Sequence, residues 1–205
     1  MLRGLFVRRA ASVGLALAGL LLAACGTGTE KEFTGSRLDQ PYDTADIALT
    51  DTSGRPYSLV ADTDKPLTLV FFGYTNCADY CPMVMNNLAT AMNRLDDADR
   101  KQVDVVLVTT DPARDDEKAM RAYLDKYNKA FIGLTGELDQ VIELGNSLHV
   151  YVNDGKKLPT GGRDLGGHST ITLAIDGSNR AIALWNQETS STEFAADLHT
   201  LLTED

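Results

Sequence analysis

The sequence predicts a mixed α/β fold built on a mainly parallel sheet. Continuous apolar runs at residues 66–74 and 103–110 are typical of strands that are buried on both faces. Each run is followed by a segment whose apolar residues repeat at helical spacing, and two further strands precede a last helix. The resulting order, β-α-β-α-β-β-α, is the thioredoxin-like arrangement, and we expect an added N-terminal β-hairpin in front of it.

The first elements follow this order along the chain. The N-terminal hairpin is predicted at residues 45–60, where apolar and polar residues alternate on either side of a turn at 53–54. A helix is predicted at 82–97, because its apolar residues fall on one helical stripe. A second helix is predicted at 115–128, where acidic residues come first and lysines last, as the helix dipole favours.

The C-terminal part completes the predicted sheet and its helical cover. A short helix is predicted within residues 137–152, and a strand could follow it in the same segment. Two strands at 168–176 and 180–186 form a second hairpin, which turns at an Asp-Gly pair. The last helix is predicted at 190–205, with Ser191 as its N-cap and a glutamate nearby.

Composition limits the classes of protein and of partner. The chain has 205 residues, of which 43% are hydrophobic and 23% charged, so it can form one domain with a substantial core. These proportions are too polar for a protein that crosses the membrane many times. The formal net charge of -10 would repel a phosphate backbone, and we therefore expect no nucleic-acid partner.

The N-terminal segment is predicted to direct export and not to join the fold. Residues 1–24 combine a basic start with a short apolar stretch, as in a signal peptide, and residues 22–25 resemble the bacterial lipobox. Cys25 would then be lipidated, with 25–41 as a polar tether and 42–205 as the domain. This places the domain at the extracytoplasmic face of the bacterial cytoplasmic membrane. An ordinary signal peptide or a plain membrane anchor are the alternatives.

Two cysteines remain for the folded domain, Cys77 and Cys81. A disulfide between them would close only a small loop and add little stability, which favours a functional role. Pro82 is expected at the first helical position, so that Cys81 lies at or beside the N-cap. Both sulfurs would then face the positive end of the helix dipole, which lowers a thiol pKa. Because a thiolate is both a nucleophile and a metal ligand, this argument does not choose between redox chemistry and metal binding.

A histidine could supply a third metal ligand. Thiolates suit Cu(I) or Zn(II), but a closed zinc site needs four ligands. His168 ends a glycine-rich loop just before a predicted strand, where it is either a ligand or an ordinary loop residue. His149 lies in an apolar stretch and is expected to pack in or near the core, whereas His199 is expected to be solvated on the last helix.

Four short segments resemble those of one known family. They are FGYTNCADYCP at 72–82, TTDPARD at 109–115, LTG at 134–136 and HST at 168–170. The chain resembles the Sco/SenC family in these segments, in the same order, over about residues 42–203. The resemblance implies a thioredoxin-like fold and a role in assembling the binuclear copper centre of cytochrome c oxidase. It also implies oxidase subunit II as a partner, with a copper donor protein as a further one.

The resemblance also implies a copper site for Cu(I) or Cu(II), formed by Cys77, Cys81 and His168. Asp79, inside the cysteine loop, is interpreted as an electrostatic or outer-sphere group, with a solvated acid as the alternative. Asp111 is expected, together with Arg114, to brace the loop beside the site and not to touch the metal. The alternative is that Asp111-Pro112 is only a turn at the entry of a helix.

This sequence departs from the family pattern at two positions. Asn76 stands where the family commonly has a histidine, and Ala78 stands where it usually has a proline. Neither change removes one of the three implied ligands, although Ala78 could loosen the loop.

Two functions from different classes fit these residues. The first is a membrane-tethered copper chaperone for oxidase subunit II, which requires His168 beside both thiols. The second is a thiol-disulfide oxidoreductase that keeps the copper-ligand cysteines of the oxidase reduced, for which Cys77 and Cys81 suffice. A peroxidase of related fold and a non-catalytic binding module are weaker alternatives.

Overall fold

The computed structural model describes residues 33–153 and 169–204. One mixed eight-stranded sheet organises them, in the order β1-β8-β7-β4-β5-β6-β2-β3. The strands are β1 (Ser36–Asp43), β2 (Ala48–Asp51), β3 (Pro56–Ser58), β4 (Leu67–Gly73), β5 (Val103–Thr109), β6 (Ile132–Thr135), β7 (Thr172–Asp176) and β8 (Arg180–Trp185). The central strands β4, β5 and β6 are parallel, while the strands on either side of them join the sheet in antiparallel fashion.

Five helices connect or flank these strands within the described part of the chain. They are α1 (Tyr80–Arg94), α2 (Asp97–Arg100), α3 (Glu117–Leu124), α4 (Leu138–Ser147) and α5 (Ser191–Thr203). The mixed α/β architecture, the thioredoxin-like fold and the added hairpin, formed by β2 and β3, are confirmed. None of the described helices is long and apolar enough to cross a membrane.

The two faces of the sheet bury separate apolar cores. All seven residues of β4 are buried, and successive side chains point to opposite faces. Phe71 belongs to the core formed with α1, α3 and α5, whereas Phe72 belongs to the core formed with α4. Burial on both faces explains why the central strands read as continuous apolar runs. It also places the carboxyl end of β4, where the cysteine loop begins, between two packed layers.

The predicted tether is too long. Strand β1 spans Ser36–Asp43 and pairs with β8, so the ordered domain begins before residue 42. Most of β1 is exposed or half-buried because it is an edge strand. Such a strand lacks the apolar alternation that marks a half-buried strand in a sequence. The remaining predictions for residues 1–32, including the signal peptide and the lipidation of Cys25, lie outside the described residues.

Three further details differ from the sequence-based expectations. Helix α1 begins at Tyr80, so Pro82 is its third residue and not its first; proline is tolerated there because the first four helical N–H groups have no intrahelical acceptor. Ser190, not Ser191, caps α5 and forms a capping box with Glu193. Strand β6 was not predicted, since its four residues are too few to show a period.

Candidate functional site

The cysteine pair lies at the carboxyl end of β4, where the chain turns into α1. Cys77 is half-buried in the connecting loop, and its backbone N–H donates to the Tyr74 carbonyl at 3.2 Å. Cys81 is the second residue of α1 and is fully buried. The strand, the loop and the first helical turn therefore bring the two predicted cysteines together.

A glycine makes room for the buried sulfur. A Cβ atom on Gly73 would lie 3.0 Å from Cys81 Sγ and 2.8 Å from the Phe71 ring. Real Cβ atoms rarely come so close to their neighbours, so the position favours a residue without a side chain. In the sequence, Gly73 is visible only as part of the family motif, and no packing role was predicted for it.

Both cysteines are free thiols in the structure, and they differ in acidity. Burial alone would raise the pKa of Cys77, but hydrogen bonds from the Cys81 thiol and from the first amides of α1 outweigh it and lower the pKa. One of these is the Cys81 N–H, which lies 3.4 Å from Cys77 Sγ. Burial, followed by the neighbouring Cys77, raises the pKa of Cys81. The expectation that the helix dipole acidifies both thiols is therefore wrong for Cys81, where desolvation is the larger effect.

Tyr74 faces this pair of sulfurs. Burial raises the pKa of its hydroxyl, the charges of Cys77 and Cys81 raise it further, and Arg114 opposes them. A hydrogen bond with Cys77 contributes to the same shift. The phenol thus remains protonated at neutral pH and can donate to a Cys77 thiolate.

A buried aspartate fixes the loop that leads to Cys77. Asp115 is fully buried, and its carboxylate accepts hydrogen bonds from Thr75 N at 2.9 Å, Thr75 Oγ1 at 2.5 Å and Thr109 Oγ1 at 2.7 Å. Its backbone carbonyl accepts a further bond from Thr135 Oγ1 at 2.7 Å. Asp115 therefore ties the carboxyl ends of β4, β5 and β6 together. This role was not predicted, because no local pattern in the sequence signals that Asp115 meets three threonines from different strand ends.

The two predicted supporting acids occupy different positions. Asp111 is buried just after β5 and forms an ion pair with Arg114, whose side chain is half exposed. Asp79 is the exposed N-cap of α1, and its side chain makes no capping hydrogen bond. Their predicted roles beside a metal stay predictions.

The predicted third ligand, His168, lies outside the described residues. Its neighbours in sequence are described: Ser169 N–H donates to the Tyr151 carbonyl at 3.0 Å, and Ser169 Oγ accepts from Tyr151 N–H at 3.1 Å. Strand β7 begins three residues later, at Thr172, which pairs with Phe71. Among the described residues, no group of three or more histidine, cysteine or acidic side chains could hold a metal.

The other two histidines have other partners. His149 is exposed and stacks on Tyr42, with ring centroids 4.1 Å apart, so the expectation that it packs in the core is wrong. Its positive φ of 56° turns the chain directly after α4. His199 is on α5, as predicted, with Nδ1 2.6 Å from Asp99 Oδ2.

The site's chemistry is that of two adjacent sulfurs, one accessible and one buried. Hydrogen-bond donors at the start of α1 favour a thiolate at Cys77. Such a pair can bind a soft metal ion or exchange with a disulfide.

The chain is similar to known proteins both in sequence and in fold. The SCO1/SenC family model matches residues 37–203. The mitochondrial protein SCO2 of Saccharomyces cerevisiae is 30% identical over 154 residues, which cover 72% of this chain and 49% of the yeast protein. The chain thus spans about half the length of this curated relative.

Two solved structures have a similar fold. The apo Sco1 protein of Thermus thermophilus is 29% identical with a TM-score of 0.73, and the match covers 82% of this chain and 96% of that protein. Bradyrhizobium japonicum ScoI with copper bound is 28% identical with a TM-score of 0.66, and the match covers 78% and 99%.

Proposed function

Because this chain belongs to the SCO1/SenC family, we propose that it binds copper through Cys77, Cys81 and His168 and delivers it during the assembly of cytochrome c oxidase. The observation that carries this proposal is the pair of free, hydrogen-bonded thiols at the start of α1. Thiolates are the ligands that Cu(I) prefers. The similar ScoI protein of Bradyrhizobium japonicum has been solved with copper bound, which supports the choice of metal.

The register of the sheet supports His168 as the third ligand. Strand β7 runs antiparallel to β4, with Thr172 opposite Phe71 and Leu173 opposite Val70. Residues that precede β7 therefore join the sheet at the edge where β4 leads into the cysteine loop. An imidazole delivered from this edge would add the nitrogen ligand that Cu(II) prefers.

The exposure of the pair supports transfer as the fate of the metal. Cys77 is only half-buried, so an incoming thiolate could approach a metal bound to it. Copper is then the cargo, and it would pass through an intermediate that shares ligands with the recipient. The recipient is cytochrome c oxidase subunit II, and a separate donor protein supplies the copper. A lipid on Cys25 would hold the domain at the extracytoplasmic face of the bacterial cytoplasmic membrane.

Copper titration of the reduced full chain tests this proposal. We expect one Cu(I) per chain in competition with a chromophoric chelator, and a thiolate-to-copper charge-transfer band with Cu(II). Cys77→Ala and Cys81→Ala should each abolish Cu(I) binding. His168→Ala should weaken Cu(II) binding far more than Cu(I) binding.

His149→Ala and His199→Ala are the matched controls, because both histidines lie on other contacts. Both variants should bind each copper ion as the unmodified chain does. Equal losses of Cu(I) and Cu(II) in His168→Ala would contradict the assigned role of that residue.

The asymmetry of the two thiols favours thiol-disulfide exchange as a second candidate function. The lowered pKa of Cys77 suits a nucleophile, and the buried Cys81 suits a resolving thiol. The Cys77 thiolate would attack a substrate disulfide and release one substrate thiolate. Cys81 would then attack Cys77 Sγ and release the second thiol, and its proton would pass to that leaving group. The pair is oxidised by two electrons, and the substrate disulfide is reduced.

His168→Ala separates the two functions. It should spare the reduction of a model disulfide while lowering the copper content of the oxidase in cells. Loss of disulfide reduction with normal copper delivery would instead favour exchange as the main role and require His168 in it.

A further inference from the structure

The point at which the N-terminal segment enters the domain is firmly fixed. Asp197 of α5 is buried and accepts hydrogen bonds from Thr34 Oγ1 at 2.7 Å, Gly35 N at 2.8 Å and Trp185 Nε1 at 2.8 Å. Phe33 packs against the Trp185 ring, with centroids 5.9 Å apart. Residues 33–35 are therefore part of the folded domain, and any tether pivots at Phe33.

The strand register places this pivot at the same end of the sheet as the cysteines. Ser36 of β1 pairs with Leu184, Leu184 with Leu173, and Leu173 with Val70 of β4. Each of these three pairings is antiparallel, so β1 is antiparallel to β4. The residues before Ser36 therefore lie at the same end of the sheet as the residues of β4 that follow Val70. Three strand spacings separate Ser36 from Val70, or about 14 Å.

The same end carries the exposed large apolar side chains of the described residues. These are Tyr80, Met83 and Tyr151, with exposures of 44%, 39% and 60%. Tyr80 and Met83 are three residues apart at the start of α1, on the turn that holds Cys81. Tyr151 is hydrogen-bonded to Ser169, just before β7. Tyrosines of this kind are enriched where a protein meets the membrane-water interface.

We propose that the cysteine end of the domain faces the lipid surface. This inference rests on the proposed lipid anchor at Cys25. Seven residues lie between Cys25 and Phe33, so eight Cα–Cα steps join them. Eight steps reach at most about 29 Å when fully extended and about 16 Å for a flexible chain.

A short tether attached at one end of a domain keeps that end nearest its anchor. The opposite end, at the β7–β8 turn, lies beyond Asp176, which pairs with Leu67 at the start of β4. That position is six residues of strand, about 20 Å, from the cysteine end. The orientation would present the thiols to a partner whose own copper ligands lie close to the membrane.

Depth-dependent fluorescence quenching tests this orientation. The lipidated full chain carries Cys77→Ser and Cys81→Ser and one fluorophore, attached through either Met83→Cys or Ser178→Cys. It is reconstituted into phosphatidylcholine vesicles that contain a lipid with a quencher on its headgroup. We expect several-fold stronger quenching from Met83→Cys than from Ser178→Cys, both of which replace exposed residues. Inserting twenty glycine and serine residues between Gly28 and Thr29 should reduce the difference.

Equal quenching at the two positions, stronger quenching from Ser178→Cys, or a chain that fails to bind the vesicles would each overturn the inference. Copper binding is measured separately on the chain with both thiols present. Normal copper binding with equal quenching would contradict the proposed orientation but not the proposed function. Stronger quenching from Met83→Cys without copper binding would contradict the proposed function but not the orientation.

Discussion

Asp115 and Asp197 are two buried carboxylates that organise different regions of the molecule. Both are almost fully inaccessible, and within the described chain neither forms an ion pair. One amide and two hydroxyls around Asp115 come from the ends of the central strands beside Cys77. An indole, a hydroxyl and two amides around Asp197 come from the N-terminal entry and β8.

The difference shows how one physical device can serve two purposes. Burying a carboxylate costs free energy unless several donors satisfy it, and charge-assisted hydrogen bonds are the strong ones. Such a centre therefore holds its donors in one arrangement. At Asp115 the segment held is the loop before the thiols, and at Asp197 it is the segment from which a tether would leave. Loss of the first should alter thiol chemistry, and loss of the second should not.

The largest effects are expected from removing each carboxylate. Asp115→Ala and Asp197→Ala leave buried donors without acceptors, and each should lower the free energy of unfolding by about 2–5 kcal/mol. Only Asp115→Ala should also change the alkylation rate of Cys77, because it frees Thr75. Chemical denaturation and iodoacetamide kinetics below the denaturation midpoint measure the two quantities. An altered Cys77 rate in Asp197→Ala would contradict the division between the regions.

Substitutions at two glycines, one in each region, should have smaller effects on stability than the loss of either carboxylate. A Cβ on Gly35 would lie 2.5 Å from Trp185 Nε1, and one on Gly73 would lie 3.0 Å from Cys81 Sγ. Overpacking of this kind costs about 1–3 kcal/mol. Gly35→Ala should have the larger effect on stability, since the whole indole edge blocks it. Gly73→Ala should also weaken Cu(I) binding by displacing Cys81.

Gly177→Ala is the control for both substitutions, because a Cβ there meets nothing within 4 Å. It should change the free energy of unfolding by less than about 0.5 kcal/mol. Full Cu(I) affinity in Gly73→Ala would show that the sulfur can move without cost to the site.

The pH dependence of thiol alkylation should distinguish the two cysteines of the site. Because the pKa of Cys77 is lowered, its alkylation rate should reach half of its maximum below pH 9.0, the ordinary thiol value. The raised pKa of Cys81 should keep that thiol unreactive until well above pH 9.0. Above pH 9.0, Cys81 loses its proton in the unfolded state at a lower pH than in the folded state. The free energy of unfolding should therefore fall as the pH rises above 9.0. Alkylation followed by peptide mass spectrometry identifies which thiol reacts at each pH, and simultaneous reaction of both would contradict the assignment.

The sequence predicted the elements whose apolar residues are continuous or recur at a regular spacing. Strands β4 and β5, the helices that follow them and the position of Cys77 and Cys81 follow from apolar patterning and from a loop before a helix. The roles of Asp115 and Gly73 did not follow, because their contacts join residues far apart in sequence. Strand β1 was missed because an exposed edge strand carries little apolar signal.

The acidity of Cys81 was predicted wrongly for a related reason. The helix dipole can be inferred from a local sequence, whereas burial is a property of the whole fold. A thiol in the first turn of a helix is acidified only if it keeps enough contact with water or with hydrogen-bond donors. Cys77 meets this condition through the amides of α1, and Cys81, packed against Gly73, does not.

The smallest effect is expected from an exposed ion pair near the N-terminal entry. Arg37 and Glu204 lie 2.5 Å apart, but their side chains are 44% and 52% exposed, so solvent screens the pair. Arg37→Gln should therefore lower the free energy of unfolding by less than about 1 kcal/mol, even though it also removes the cation above the Phe33 ring. Thermal unfolding at low and high salt measures this difference. A loss comparable to that of Asp197→Ala would mean that surface charge, and not the buried carboxylate, holds residues 33–35 in place.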